Sequence, residues 1–371
     1  MRATPTPPTR LACLGLLIGL ALALICGCAP RQAAPSDPAA NAAAERRALA
    51  LLAQPRFQQP PGWQWGKMVN GDGAGLRYGW TQAEGAAKGT IILLPGFRSP
   101  AEEFFETARD FQSRGFDVWC LDRRGQGGSQ RWLADRQKAY SIGFDHDERD
   151  LVQFVSQAVR PRSRGPLFIV AESFGGHIAL RALHDHPGLV SAAAFSSPAI
   201  VIHTGRHQGD APAWLMRLAA DTAVAMGYGS DYARHQSDWT FNPDAGGASD
   251  PAKDDPTRAL ANQALFVRDP ALAEGGATWA IVQANNRSSD LEVSPGWMNA
   301  IATPILIGEA PDDQIAVSGV MVSACHEMRR CTLIDFPHAK HALFNDSDQT
   351  RSAFIAAITQ FFSNWPAPPA S

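Results

Sequence analysis

Short apolar runs alternate with amphipathic segments along most of the chain, which is the pattern of strands that alternate with helices. The run Thr90–Leu94 is apolar after its first residue and stops at Pro95-Gly96, as strands buried on both faces do. Strands are predicted at 76–81, 90–94, 116–121, 167–171, 192–195, 303–308 and 332–336, and helices at 101–114, 147–159 and 352–362. This alternation predicts an α/β fold, with a mostly parallel sheet flanked by helices.

The alternation stops after Ser196 and resumes only at Thr303. The segment between them has helical-looking pieces and is too long for a plain connection. We therefore predict an inserted, mainly helical cap at 197–300, between the two parts of an α/β core at 61–196 and 301–366. Its apolar residues either line a ligand pocket or form the cap's own small core, and we favour the second role for most of them. The residues concerned are Trp214, Leu215, Met216, Leu218, Trp239, Phe241, Leu265, Phe266 and Trp279.

The first residues have the composition of an export signal. Two arginines precede the apolar run Leu11–Ile25, which is too short to span a membrane comfortably and suits a signal peptide. The run ends in Ile25-Cys26-Gly27-Cys28-Ala29, which resembles a bacterial lipobox with Cys28 as the lipidated residue. We predict a lipoprotein signal peptide at 1–27 and a tether or linker at 28–60 that is not part of the fold. The alternatives are an ordinary signal peptide or an uncleaved anchor.

The predicted export bears on location and on the thiols. By resemblance to lipoproteins of Gram-negative bacteria, Ala29 implies an anchor in the outer membrane that faces the periplasm. An oxidising compartment permits disulfides, and a local bridge between Cys325 and Cys331 is one option that spacing alone leaves open. Cys120 lies in an apolar strand, so we expect it to be buried as a small hydrophobic residue.

The candidate chemistry begins at Ser173. The segment 167–177, Leu-Phe-Ile-Val-Ala-Glu-Ser-Phe-Gly-Gly-His, predicts a strand, a sharp turn and the start of a helix. Such a turn requires small residues two positions before and after the serine, and Ala171 and Gly175 stand there. This context predicts a nucleophile elbow, in which the hydroxyl is exposed above a helix N-terminus. The alternative is a serine that only caps a closely packed helix.

Two loops after later strands supply candidates for a base and an acid. His341 follows the last predicted strand, and strand ends are where an open α/β sheet presents reactive groups. His338 is its competitor, and this His-x-x-His pair is too small a set to indicate a metal site. The acid is Asp313 or Asp312 or, less favoured, Glu309, and spacing does not separate the two adjacent aspartates.

Together these segments resemble the lysophospholipase and monoacylglycerol-lipase branch of the α/β-hydrolases. The motifs that carry the resemblance are Pro95–Phe97, Asp122–Ser129, the segment around Ser173, Gly308–Asp313 and Pro337–Leu343. In the cap, Arg268–Trp279 is similar to a segment of bacterial lysophospholipases.

The resemblance implies a Ser173, Asp313, His341 triad in the chain order of this fold. Asp313 is favoured over Asp312 because a polar and then an apolar residue follow it, as in the family pattern. The same chemistry needs an oxyanion hole, for which the backbone N–H groups of Phe97 and Phe174 are the candidates.

The implied function is a serine carboxylic-ester hydrolase that forms an acyl-enzyme and acts on lysophospholipids or monoacylglycerols without a metal or an organic cofactor. The alternatives are a non-lipolytic hydrolase, such as a small-ester esterase or an aminopeptidase, and a non-enzymatic lipid-binding lipoprotein. The net charge of −3 gives no indication of a nucleic-acid partner. The expected partners are a lipid or small ester and, through the lipidated N-terminus, a membrane; no oligomeric state is predicted. Glu172 stands where the family often has histidine, and we expect it in a salt bridge or at the surface.

Overall fold

The computed structural model describes residues 38–203, 212–247 and 250–365. The predicted signal peptide at 1–27 and the predicted lipidation at Cys28 lie outside these residues. Within the three ranges, no helix is both long enough and apolar enough to cross a membrane.

A single sheet of eight strands organises the described part of the chain. The strands are β1 (Gln64–Val69), β2 (Gly75–Thr81), β3 (Thr90–Leu94), β4 (Asp117–Leu121), β5 (Leu167–Glu172), β6 (Ala192–Ser196), β7 (Ile305–Glu309) and β8 (Cys331–Asp335). Their order across the sheet is β1-β2-β4-β3-β5-β6-β7-β8. The pairs β1–β2 and β2–β4 are antiparallel and all others are parallel, so the predicted α/β fold with a mostly parallel sheet is confirmed.

The helices cover both faces of the sheet and fill the insertion between β6 and β7. They are α1 (Pro38–Leu51), α2 (Phe105–Ser113), α3 (Asp145–Gln153), α4 (Phe174–Asp185), α5 (Ala213–Ala225), α6 (Pro256–Arg268), α7 (Trp279–Glu292), α8 (Ser318–Glu327) and α9 (Asp348–Ser363). Two predicted helices differ in detail. The first begins with a 3₁₀ turn at Ala101–Phe104, and the second continues as a π-helical turn at Phe154–Val159 and ends beside Pro161, which lacks an N–H donor.

The strands bury both of their faces, as the unbroken apolar runs predict. In β5, Leu167, Ile169 and Ala171 point to one hydrophobic core, and the alternating residues Phe168 and Val170 point to the other. Helices α3, α4 and α8 pack in the first core, and α2 and α9 pack in the second. The sheet is therefore fixed from both sides, which fixes the loops at its strand ends.

The tether predicted at 28–60 is wrong over residues 38–60. This part of the chain contains α1 and a 3₁₀ turn, Pro55–Phe57, and it packs against the cap. Ala48 and Leu52 are buried in one cluster with Leu265 and Phe266 of α6. The reason is that alanine favours helix and lets two helices approach closely, so an alanine-rich segment need not be a flexible one.

The apolar residues of the cap mostly pack against one another. Trp279 forms a small core with alanines of α5, and Trp239 packs with Phe266 at a ring distance of 5.4 Å. Trp214 is 55% exposed. Of the nine apolar cap residues named above, Phe266 lines the cavity described below.

Two of the three described cysteines form the local disulfide that the sequence left open, and the third is buried as expected. Cys325 at the end of α8 and Cys331 at the start of β8 form a disulfide, with Cα atoms 5.3 Å apart. Cys120 is free and fully buried in β4.

Candidate active site

Ser173 occupies the sharp turn between β5 and α4. Its φ of 51° and ψ of −114° lie outside the regions that a serine ordinarily adopts. The backbone N–H of Ser173 donates to the Ser196 carbonyl at 2.8 Å, which holds the turn against the neighbouring strand. A Cβ on Gly175 would lie 2.3 Å from the Leu94 carbonyl oxygen, so this position accepts only glycine. The turn is as tight as the small residues on either side of the serine predict.

His341 connects the serine to a carboxylate. Its Nε2 lies 2.6 Å from Ser173 Oγ, and its Nδ1 lies 2.6 Å from Asp313 Oδ2. All three residues are buried, at 4% to 8% exposure. Asp313 follows β7 and His341 follows β8, so the carboxyl ends of parallel strands bring the three groups to one edge of the sheet.

The structure separates Asp313 from the two other candidate acids. The Oδ1 atom of Asp313 accepts the backbone N–H groups of Ile315 at 2.6 Å and Ala316 at 3.0 Å, which leaves Oδ2 for the histidine. Asp312 is exposed, and Glu309 instead accepts the hydroxyl of Ser318.

The competing histidine lies away from this arrangement. His338 is exposed, whereas His341 is buried against Ser173. Within the described ranges, no group of three or more His, Cys, Asp or Glu side chains is arranged to hold a metal ion.

Gln126 fixes the loop after β3, in which Phe97 lies. Its Nε2 donates to the carbonyls of Gly96 at 2.8 Å and Ser99 at 2.6 Å, and its Oε1 accepts the N–H of Arg98 at 3.0 Å. Sequence reasoning did not identify this role. The signal was the Asp122–Ser129 motif, which carries Gln126 but does not show what its side chain binds.

Asp122 in turn holds the segment that carries Gln126. Its Oδ1 accepts the N–H of Ala101, and its Oδ2 accepts the N–H of Gly128, both at 2.8 Å. Gly127 has a φ of 53°, and a Cβ there would lie 2.4 Å from Asp122 Cγ. Position 127 therefore requires glycine, because any larger residue would collide with the Asp122 side chain.

The predicted oxyanion donors flank Ser173. Phe174 is the first residue of α4, and Phe97 lies in the loop that Gln126 holds. Among the described residues, no acceptor binds the backbone N–H of either phenylalanine. Both donors are consequently free for a ligand.

A cavity of about 370 Å³ opens beside Ser173 and His341, between the core and the cap. Its core wall contains Gly96, Phe97, Arg98, Glu172, Ser173 and His341. Its cap wall contains Asp250, Lys253, Asn262, Gln263 and Phe266. The cavity therefore has both apolar and charged surface next to the serine.

Side-chain bonds join the two walls. Lys253 Nζ lies 3.2 Å from Glu103 Oε2, and Asn262 Nδ2 donates to the same oxygen at 3.1 Å. Asn262 also donates to Asn345 Oδ1 at 2.9 Å. Nothing in the sequence indicated these contacts, because each joins residues far apart in the chain.

The expectation that Glu172 lies in a salt bridge or at the surface is wrong, because it is buried and forms no ion pair with any described residue. Its side chain is buried at the base of the cavity, and its Oε2 has no hydrogen-bond partner among the described residues. Burial raises the pKa of this carboxyl to about 7, although Lys253 and His341 act in the opposite direction. The reason is that the cap covers this residue, which the core sequence alone does not show.

Comparison with known proteins gives the same fold and chemistry class. The family described as "Serine aminopeptidase, S33" matches residues 85–348. Lysophospholipase L2 of Escherichia coli (strain K12) is 27% identical over 288 residues, which are 75% of this chain and 81% of that protein. A solved structure of a soluble variant of monoglyceride lipase from Saccharomyces cerevisiae aligns with a TM-score of 0.62 and 16% identity, over 84% of this chain and 97% of that chain.

These findings confirm the predicted superfamily. The family match covers most of the chain and includes the three hydrogen-bonded residues Ser173, His341 and Asp313. The structural match has low identity and bears on the fold alone. The protein therefore belongs to the serine aminopeptidase S33 family of α/β-hydrolases.

Proposed function

We propose that this protein is a serine carboxylic-ester hydrolase that releases fatty acid from lysophospholipids or monoacylglycerols. The observation that carries the proposal is the hydrogen-bonded series Ser173, His341, Asp313 at the base of a cavity. The relatives named lysophospholipase L2 and monoacylglycerol lipase support this substrate class.

In the first step Ser173 Oγ attacks the ester carbonyl carbon while His341 Nε2 takes the hydroxyl proton. Serine is a weak nucleophile at neutral pH, so the reaction depends on this base. His341 Nδ1–H donates a hydrogen bond to Asp313 Oδ2, which leaves Nε2 unprotonated to act as the base and stabilises the imidazolium that forms. Because two backbone N–H groups hold the other oxygen of Asp313, the carboxylate cannot rotate away.

The negative charge on the carbonyl oxygen then needs donors. The N–H groups of Phe97 and Phe174 are the candidates for this role, because neither has an acceptor among the described residues, Phe174 directly follows Ser173, and Phe97 lines the same cavity as Ser173. Donors fixed before the reaction stabilise the oxyanion without a reorganisation cost, and Gln126 fixes the loop of Phe97.

The intermediate collapses as His341 gives its proton to the departing alcohol oxygen, which leaves an acyl ester on Ser173. Water then attacks this ester while His341 accepts one of its protons, and the proton returns to Ser173 Oγ as the fatty acid leaves. The balance is one ester and one water consumed, with one alcohol and one carboxylic acid formed.

The test is fatty-acid release by the mature protein from a panel of lysophospholipids and monoacylglycerols, together with labelling by a fluorophosphonate probe. We expect Ser173→Ala to abolish both signals, and the exposed Ser156→Ala to leave them unchanged. An unlabelled wild-type protein, or fatty-acid release that survives Ser173→Ala, would overturn the proposal. The first result would favour the non-enzymatic lipid-binding alternative.

An aminopeptidase is the second candidate, because the family description names that activity and a buried carboxyl, Glu172, faces the cavity. A carboxylate near the nucleophile suits the α-ammonium group of a peptide. Hydrolysis of aminoacyl nitroanilides faster than any lipid ester would favour this candidate. Fast hydrolysis of short nitrophenyl esters alone would favour a small-ester esterase.

We also propose that Cys28 is lipidated and anchors the protein in the outer membrane, facing the periplasm. Support comes from the sequence of residues 11–29. Incorporation of labelled palmitate into the wild type, and its loss in Cys28→Ala, is the expected result. Palmitate labelling that persists in Cys28→Ala would contradict this anchor.

A further inference from the structure

Arg98 lines the same cavity as Ser173 and follows Phe97 in the loop after β3. Only one other arginine or lysine lines this cavity among the described residues, and that residue, Lys253, pairs with Glu103 at 3.2 Å. The backbone of Arg98 is bound by Gln126, but its guanidinium makes no hydrogen bond or ion pair with any described residue. The cavity therefore holds one cation that still lacks an anion.

Buried arginines elsewhere in the described part of the chain show what Arg98 is missing. Arg124 binds Asp150 through Nε at 2.8 Å and through Nη2 at 2.6 Å. Arg258 binds Glu106 through two nitrogens, both at 2.8 Å. A guanidinium presents a planar fork that matches a carboxylate or a phosphate, and at Arg98 this fork is unused.

The backbone holds Arg98 in an unusual conformation. Its φ of 65° lies in the left-handed region, which is unfavourable for a long side chain. Gln126 Oε1 accepts its N–H at 3.0 Å, and Ser99 N–H donates to the Gly96 carbonyl at 3.3 Å. These bonds fix the backbone of Arg98, the residue that follows Phe97, and so fix where its side chain leaves the loop.

The surroundings disfavour a free charge there. Burial lowers the pKa of the Arg98 guanidinium from its ordinary value. The negative charges of Glu274 and Glu103 raise this pKa, although neither carboxyl forms a hydrogen bond with the guanidinium. Glu274 is itself buried, and neither of its side-chain oxygens has a hydrogen-bond partner among the described residues. A bound anion would supply the acceptors that Arg98 lacks.

The position relative to Ser173 selects the anion. In a lysophospholipid the phosphodiester is separated from the acyl ester only by the glycerol backbone. Ser173, Phe97 and Arg98 line one cavity, so a substrate that places its ester carbonyl at Ser173 brings its phosphate into the cavity that Arg98 lines. A monoacylglycerol has an uncharged hydroxyl at that place, and a hydroxyl binds a guanidinium much more weakly than a phosphate does.

We propose that Arg98 binds the phosphodiester of a lysophospholipid, so that this enzyme prefers lysophospholipids to monoacylglycerols with the same acyl chain. This inference rests on the function proposed above and names its substrate class. Arg98 is a specificity residue here, whereas the reacting atoms are those of Ser173 and the ester.

The test compares two soluble substrates with the same short acyl chain, a lysophosphatidylcholine and a monoacylglycerol, below the concentrations at which they aggregate. Arg98→Met keeps the apolar stem and removes the charge, and Arg98→Lys keeps the charge without the fork. For Arg98→Met we expect kcat/KM to fall about 10- to 100-fold on the lysophospholipid and less than about 3-fold on the monoacylglycerol. Arg98→Lys should lie between the wild type and Arg98→Met.

The matched control is Arg287→Met. Arg287 lies on α7 with a side chain that is 70% exposed, away from the cavity, and we expect no change on either substrate. Fluorophosphonate labelling and thermal unfolding of Arg98→Met are measured alongside, so that a folding defect is recognised.

A second measurement needs no variant. Glycerophosphocholine, which is the product left by the lysophospholipid, should slow fluorophosphonate labelling of the wild type more than glycerol or inorganic phosphate does at equal concentration. Equal protection by inorganic phosphate would mean that the cavity takes any small anion, and would overturn the lipid assignment.

Equal loss on both substrates in Arg98→Met would also overturn the proposal, because Arg98 would then serve the shape of the loop. So would an unchanged rate on the lysophospholipid, or a wild type that prefers the monoacylglycerol. Failure of the underlying function looks different: the wild type would release fatty acid from neither substrate, and Ser173 would not be labelled.

Discussion

The two walls of the catalytic cavity are built in different ways. The core wall consists of short loops that leave the ends of β3, β5, β7 and β8, and strands fixed in one sheet position these loops directly. The cap wall consists of α6 and the segment before it, and it reaches the core through side chains such as Lys253 and Asn262. The core wall carries Ser173, His341 and Asp313, whose mutual distances must stay constant within a fraction of an ångström for proton transfer.

The difference indicates a division of labour. The strands of the sheet, and side chains such as Gln126 that bind the backbone of neighbouring loops, hold the core wall, so damage there should appear in the chemical step. Ion pairs and amides hold the cap wall, and Arg258 of α6 adds two bonds to Glu106. Damage there should appear in stability and substrate choice.

The largest effect should come from the acid of the core wall. We expect Asp313→Asn to lower kcat about 10³- to 10⁴-fold, because an amide at this place favours the wrong histidine tautomer. Asp312→Asn is the matched control one residue away, and we expect it to behave as the wild type since Asp312 is exposed. Steady-state rates on one ester substrate measure both.

A reversed result would be informative. If Asp312→Asn lost activity and Asp313→Asn kept it, the hydrogen bond from His341 to Asp313 would not be the working one. The loop after β7 would then have to rearrange for catalysis.

The second effect concerns a positioning residue. Gln126→Ala removes three hydrogen bonds from the loop that carries Phe97 and should lower kcat about 10²-fold, with a smaller change in KM. The control is Gln130→Ala in the same turn, whose exposed side chain bonds to Gly75 N–H instead. Equal losses in the two variants would show that the turn as a whole matters, and not the Phe97 loop.

The core wall was open to prediction because its signals are local. A buried strand, a small-x-Ser-x-small turn and a helix occur together around Ser173, and the Leu94 carbonyl explains why Gly175 is needed. His341 and Asp313 were recognisable as polar residues just after apolar runs. Spacing could not separate Asp313 from Asp312, because adjacent loop residues differ only in where they point, and backbone N–H groups decide that.

The cap side was mostly beyond prediction. The segment α1 is rich in alanine and has little contrast between its faces, so its packing against Leu265 of α6 left no pattern in the sequence. The burial of Glu172 depends on the cap above it, and the role of Gln126 depends on carbonyls in another loop. Contacts between distant segments decide all three.

The third effect tests the burial of Glu172 beneath the cap. This carboxyl has an ordinary pKa of 4.5 when exposed and a pKa of about 7 in the fold, because burial disfavours its charge. The folded state therefore binds the proton more tightly, so its stabilising contribution is full below about pH 4.5 and is lost as the pH rises through 7. Lys253, His341 and Glu103 are the charges that act on it.

Glu172→Gln should remove this pH dependence. Relative to the wild type, the variant should gain about 2 kcal/mol in free energy of unfolding between pH 5 and pH 8. Urea unfolding at the two pH values measures this, and Glu84→Gln, an exposed residue, should show no such gain. A Glu172→Gln variant with the same pH profile as the wild type would mean that Glu172 is not sealed from water.

The smallest effect tests whether α1 and Leu52, the residue that follows it, support the cap wall. Leu52, 7% exposed, packs with residues of α6, and α6 also lines the cavity through Asn262 and Phe266. Leu52→Ala should lower the free energy of unfolding by about 1.5 kcal/mol, whereas Leu49→Ala, at a residue 37% exposed, should cost less than about 0.5 kcal/mol. Since neither α1 nor Leu52 lines the cavity, kcat on a short ester should stay unchanged. A loss of kcat in Leu52→Ala would show that the two walls do not act separately.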